Sequence, residues 1–134
     1  MILTRAKTEH LEGINALLAY YGLYPITDDY IKYDISVTAL DKGKVVGFIW
    51  CGLMANKKLG YIDYFTVAPE YATSGVGKAL GTQLVRVAKS KGITIIMNVI
   101  PQQTIAHNRL QIGLNKIPLD FTVMVGHVSS IGEL

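Results

Sequence analysis

One stretch, residues 65–80 (FTVAPEYATSGVGKAL), limits what this chain can fold into more than any other. It follows Tyr61-Ile62-Asp63-Tyr64, a run of aromatic and β-branched residues that suits a strand through Val67. Pro69 cannot donate to a sheet ladder and ends that strand. Gly75 and Gly77 let the backbone come close to a bulky neighbour. From Lys78 onward, Leu80, Leu84, Val87 and Ala88 recur at helical spacing, and Gly92 closes the run after Lys89 and Lys91. A strand, a small-residue loop and a helix that starts on glycines leave free N–H groups at the helix start. Such an end attracts anions, and phosphate or pyrophosphate is the expected guest.

Three motif readings compete for the loop, beside the plain one of a glycine-rich helix start. A nucleotide P-loop needs glycine where Ala72 stands and a hydroxyl where Ala79 stands, so only Gly77-Lys78 fits. A dinucleotide fingerprint needs a third glycine where Leu80 stands, and the loop after Val67 is too long for it. The third reading fits best. Val67-x-Pro69-Glu70-Tyr71 followed by Gly75-Val76-Gly77-Lys78-x-Leu80 resembles the coenzyme A motif of the GCN5-related N-acetyltransferases (GNAT). That motif runs (Arg/Gln)-x-x-Gly-x-(Gly/Ala) after a Val-x-Pro strand end.

The resemblance implies acetyl-CoA as cofactor and no metal, with backbone amides neutralising the diphosphate. A hydrogen bond to a charged group contributes about 1.5–3 kcal/mol, against about 0.3–2 kcal/mol from the helix dipole. The amides therefore dominate, and they do not depend on side chains. Ala72 stands where the family carries Arg or Gln, so one charge-assisted contact is lost and weaker binding is expected. The implied cofactor-binding residues are Phe65, Thr66 and Val67 on the strand, and Thr73, Ser74, Gly75, Val76, Gly77 and Lys78 in the loop.

The 134 residues suit a single domain over 1–134 with a real core, and half of them are apolar. No apolar run reaches the roughly 18 residues of a membrane span, and no signal-like segment opens the chain. No membrane association is expected, and the default location is cytoplasmic. Cys51 is the single cysteine and lies in an apolar strand pattern, which reads as buried filler. The net charge is +3 and the lysines are scattered, so the clustered stripe of a nucleic-acid surface is missing and such a partner is not expected. A homodimer stays open.

In chain order, Ile2–Arg5 reads as a strand. Thr8 reads as the N-cap of a first helix with Glu9 and Glu12 in its first turn. Leu11, Ile14, Leu17 and Leu18 form its apolar face, and it ends near Gly22. Residues 35–40 and 44–55 read as strands joined at Asp41-Lys42-Gly43, with a third antiparallel partner over 58–67. Residues 93–100 form a near-continuous β-branched run, which reads as a strand buried on both faces after a parallel crossover. Thr104–Leu114 reads as a helix and Phe121–Val128 as a last strand. The order is β-α-(α)-β-β-β-α-β-α-β: an α+β fold, an α/β/α sandwich around a mixed, mostly antiparallel sheet. It matches the GNAT order along the whole chain. The resemblance implies that the strands ending at Val67 and Val99 splay to admit the pantetheine arm, and that the short C-terminal segment trims the final hairpin. It also lays the tyrosine-rich zone after the first helix over the acceptor. Tyr24, Asp28 and Tyr30 are the candidate substrate-binding residues there, an aromatic and acidic wall suited to a cation. The plain alternative is that these tyrosines only cover the sheet.

Acetyl transfer to an amine needs a neutral amine and a stabilised oxyanion. A lysine-like amine has a pKa of about 10.4, so neutralising it near pH 7 costs roughly 4–5 kcal/mol. A positioned base contributes about 10²–10⁴-fold, which is of that size. Asp63 is the candidate base, the only acid of the central strands. Alternation sets it on the side of Phe65 and Val67, and a partner in the fold is its structural alternative. A backbone N–H between Phe65 and Val67 is the expected oxyanion donor. In the family a tyrosine protonates the leaving thiolate. Its position falls on Leu110 or Gln111 here, neither an acid, and His107 is the candidate stand-in, with water as the alternative. The reading is therefore an acyl-CoA-dependent N-acetyltransferase working by direct attack on a primary amine: a small amine, a peptide N-terminus or a protein lysine. The alternative is an acyl-CoA-binding sensor or interaction module.

Overall fold

The computed structural model of the chain describes residues 1–33, 35–54, 56, 58–100, 115–117 and 122–127. Its strands are β1 (Ile2–Arg5), β2 (Ile35–Asp41), β3 (Lys44–Met54), β4 (Leu59–Val67), β5 (Ile95–Ile100), β6 (Asn115–Ile117) and β7 (Thr122–His127). Its helices are α1 (Leu11–Tyr20), α2 (Asp28–Tyr33) and α3 (Val76–Ser90). The strands form one sheet in the order β1-β2-β3-β4-β5-β7-β6. All neighbours are antiparallel except β4 and β5, which the α3 crossover forces to run in parallel. The expected α+β order holds where the residues are described, and the expected helix over 104–114 lies outside them. β6 adds a strand that the sequence pattern does not announce. It pairs with β7 through only Asn115–Ile117, so a short final antiparallel pair is kept.

Local chemistry explains the elements. Lys42 and Gly43 both adopt positive φ (50° and 79°), the turn that joins β2 to β3 with Asp41 opposite Lys44. Ile14, Leu17 and Leu18 bury one face of α1, as their spacing predicts. Thr8 is not its N-cap. Residues Thr8–His10 form a 3₁₀ turn before α1, and the Lys7 N–H donates to His10 Nδ1 at 3.1 Å. The Thr8 hydroxyl is spent elsewhere, on Asp28. Asn15 pins the loop after α1 by receiving the Ile26 N–H at 2.8 Å and donating to the Ile26 carbonyl at 3.0 Å.

Two helical layers bracket the sheet. α1 packs on β3, and Tyr30 of α2 stacks against Trp50 on that same strand at 5.0 Å. α3 covers β2, β3 and β4 from the other side with Val76, Leu80, Leu84 and Ala88. β5 is not buried on both faces. Ile96 is fully buried in the core, but Ile95, on the opposite face of the strand, is 37% exposed. Cys51 is buried and free, as expected.

Gly47 sets how closely α3 approaches β3. A Cβ there would lie 2.8 Å from Leu80 Cδ1 and 3.0 Å from Val76 Cγ1, both on fully packed side chains. Gly47→Ala should therefore destabilise the protein by about 1–3 kcal/mol through overpacking, read as a lower urea midpoint with an unchanged slope.

Candidate active site

β4 and β5 stay paired only from Leu59–Ile62 against Ile95–Asn98. Beyond that point β4 continues to Val67 on β3, while β5 continues to Ile100 on β7. The strands fork, as the family resemblance implies, and among the described residues the β5-facing edge of residues 63–67 has no strand partner. At about 3.3 Å per residue the notch is roughly 16 Å long. The Ala68 N–H donates to the Val46 carbonyl at 2.8 Å. Antiparallel alternation then turns the backbone of Thr66 toward β3, and that of Phe65 and Val67 into the notch. The Thr66 hydroxyl is buried without a hydrogen-bond partner.

Asp63 sits at the start of the fork as the extra residue of a β-bulge. Trp50 opposes Tyr64 and Cys51 opposes Ile62, which leaves Asp63 unmatched. Alternation across the bulge is locally interrupted at Asp63. Its carboxylate is exposed and is felt by Tyr61 and Tyr64, whose phenols burial first, and Asp63 second, push up. Tyr64 lies in an aromatic cluster with Trp50 (6.2 Å) and Tyr30 (6.3 Å), and its hydroxyl reaches the Tyr24 carbonyl at 3.4 Å. Tyr24 and Tyr30 thus lie beside the bulge, and the Tyr24 side chain is 87% exposed.

Asp28 is engaged elsewhere. It accepts from Thr8 Oγ1 at 2.5 Å and pairs with Lys32 at 3.2 Å. The Thr8 hydrogen bond first, then Lys32, holds its carboxyl below the usual value.

The loop between β4 and α3 is tied down. The Tyr71 hydroxyl donates to the Asp41 carboxylate, and Lys44 lies 3.7 Å from Glu70. Ser74 Oγ donates to the Tyr71 carbonyl at 2.7 Å. Gly75 adopts φ 88° at the N-cap of α3, and a Cβ there would meet nothing within 4 Å. No side chain caps the helix, and the Ala79 N–H to the Gly75 carbonyl at 3.0 Å begins its ladder. The first-turn amides of Val76, Gly77 and Lys78 have no capping side chain among the described residues, and Thr73 and Lys78 are exposed beside them. His107, Leu110 and Gln111 lie outside the described residues.

Tyr21, at the end of α1, is a contact the sequence did not disclose: its hydroxyl donates to the Val67 carbonyl at 2.5 Å, at the mouth of the notch. The tyrosine-rich composition of the segment was its only trace, since no periodicity links positions 46 residues apart.

The sequence model described as "Acetyltransferase (GNAT) family" matches residues 11–113. No curated protein sequence matches the chain. Among solved structures, the ribosomal-protein-S18-alanine N-acetyltransferase of Escherichia coli superposes with a TM-score of 0.78 at 14% identity, covering 98% of this chain and 96% of its own. The ribosomal-protein-alanine N-acetyltransferase of Brucella melitensis gives 0.75 at 16%, covering 95% and 99%. The PaiA N-acetyltransferase of Thermoplasma acidophilum, solved with coenzyme A, gives 0.71 at 16%, covering 94% and 98%. At such identities the likeness is one of fold.

The depressed Asp28 carboxyl favours the folded state above its ordinary value of 3.8, and that contribution is lost as pH falls through the lower folded value. Asp28→Asn should lower the melting temperature near neutral pH. The gap from wild type should close in strongly acidic buffer, as followed by circular dichroism.

Proposed function

This chain belongs to the acetyltransferase (GNAT) family, and we propose that it transfers an acetyl group from acetyl-coenzyme A to a primary amine by direct attack. The observation that carries the reading is the fork: β4 offers an unpaired backbone edge, and the helix that follows it begins with uncapped amides. The residues fit the coenzyme. A diphosphate needs convergent donors and room, and the first turn of α3 supplies amides beside the open space at Gly75. An amide-bearing arm needs an extended edge with both donors and acceptors, and Phe65 and Val67 present one.

Bound coenzyme supplies the acetyl group as a thioester. The amides of Thr73 to Lys78 hold the diphosphate, and the exposed Lys78 and Thr73 side chains add donors. Val67 would pair with the arm, and the Phe65 N–H would serve as a donor to the thioester oxygen. Asp63 accepts the proton of the incoming ammonium, its charge felt by Tyr61 and Tyr64. The faces of Tyr30 and Tyr64 attract that cation before it is neutralised, and the exposed Tyr24 lies at the rim. These features suit a cationic amine approaching from the α1–α2 side.

Calorimetry with coenzyme A and thiol release with a panel of amines test the reading. Asp63→Asn should lower kcat by about 10²–10⁴-fold and leave coenzyme binding unchanged. Tight coenzyme binding with no turnover on any amine would instead identify an acyl-CoA-binding module. No heat at millimolar coenzyme A would sink both.

A further inference from the structure

An amine is recognised by its charge and by the body that carries it. On the charge side, Asp63 is exposed where the β4–β5 ladder ends, with half-buried Tyr61 and Tyr64 near it on β4. The acids of α2 are committed to a cation of their own. Asp28 first, and Asp29 to a lesser degree, hold the Lys32 ammonium above its ordinary value, and Asp28 also accepts from Thr8. Glu70 lies 3.7 Å from Lys44. Among the described residues the fork therefore offers one carboxylate to one ammonium.

On the body side the surface is made of rings. Tyr30 meets Trp50 at 5.0 Å and Tyr64 at 6.3 Å, and Trp50 meets Tyr64 at 6.2 Å. The main chain beside these rings is largely committed. The Tyr24 carbonyl accepts from the Tyr64 hydroxyl at 3.4 Å, and the Tyr30 carbonyl from the Trp50 indole N–H at 2.9 Å. Asn15 takes both the N–H and the carbonyl of Ile26, and the Leu23 N–H goes to the Leu18 carbonyl at 3.0 Å. A peptide needs main-chain partners along its length, and this wall supplies ring faces instead. Tyr24 is 87% exposed although hydrogen bonds pin its loop on both sides. A ring held out by a fixed loop is apolar surface in want of a partner.

We propose that the acceptor is a monoamine with an aromatic body, its ammonium at Asp63 and its ring against Tyr30, Tyr64 and Tyr24. This names the substrate class of the acyl-transfer site and rests on that reading.

The two halves of such a molecule match the two halves of the wall. A diamine's second ammonium would lose water and meet only ring faces, a weaker partner than a carboxylate. A plain alkylamine would cover the rings but forgo edge-to-face packing. The transfer balances for any body. The nitrogen bonds to the acyl carbon as the carbon–sulfur bond breaks. Of the two protons that the ammonium gives up, one passes by way of Asp63 to solvent and the other makes up the free thiol.

The test begins with calorimetry on coenzyme A and thiol release by wild type. No coenzyme heat, or no turnover on any amine, overturns the acyl-transfer reading and this inference with it. The panel is 2-phenylethylamine, hexylamine, putrescine and an alanine-led peptide amide. The aromatic amine should come first, with kcat/KM about tenfold or more above putrescine and the peptide. Another amine in first place, or hexylamine level with it, leaves the transferase standing and overturns the aromatic acceptor. Tyr24→Glu sets a second carboxylate at an exposed position, and melting curves check that the variant folds. Its KM for 2-phenylethylamine should rise by about threefold to tenfold and its KM for putrescine should fall. An unchanged ratio between the two amines overturns the proposal. Trp50 is the single tryptophan and reports binding without turnover. Adding 2-phenylethylamine to the coenzyme A complex should change its fluorescence saturably, and putrescine at the same concentration should not. An indole that ignores the aromatic amine, or answers both alike, overturns the proposal.

Discussion

The site depends on a pairing that stops. A parallel ladder between β4 and β5 could run on to Val67, but it ends at Ile62 and Asn98. Asp63 supplies the physical cause. Its extra residue bends β4 on β3, and β5 meanwhile keeps its ladder with β7. Backbone N–H and C=O groups left at such an edge demand partners. A ligand that is itself peptide-like along its length can meet that demand with no help from side chains. The notch and the bulge coincide at Asp63, an exposed acid where the β4–β5 ladder ends.

The same economy governs the anion end. The sequence lacks the Arg or Gln usual at Ala72, and no side chain caps α3. What remains is geometry: a glycine in the left-handed region, first-turn amides that no described side chain caps, and a loop tied back to the β2–β3 turn through Tyr71 and Asp41. Tethering the loop matters because amides bind an anion strongly only when they need not be gathered first. Gly47 adds to this by letting Val76 and Leu80 seat the start of α3 close to β3.

The aromatic face beside the fork is built differently, from side chains of separate elements. Tyr30 from α2, Trp50 from β3 and Tyr64 from β4 meet because cross-strand register aligns Trp50 with Tyr64 and because α2 crosses above them. The Trp50 indole N–H donates to the Tyr30 carbonyl at 2.9 Å, fixing the helix over the strand. Asp28, two positions from Tyr30, faces the other way and binds Thr8 and Lys32. Composition joined the two residues in one wall, and helical phase separates them.

The sequence by itself determined the element order, the break at Pro69, the glycine-led start of α3 and the apolar faces of α1 and α3. Each rests on a local rule: a ring without an N–H, a residue without a Cβ, a repeat matched to the helix. It also marked the splay, through the family pattern on residues 67–80. Only the tertiary structure decided which atoms line the fork. The Asp63 bulge depends on register with β3, since an extra residue has meaning only against a partner strand. The Tyr21–Val67 bond depends on how α1 lies across the sheet, and the exposure of Ile95 on which face of β5 meets the core. These are contacts between distant positions, and neither local propensity nor periodicity carries information about them.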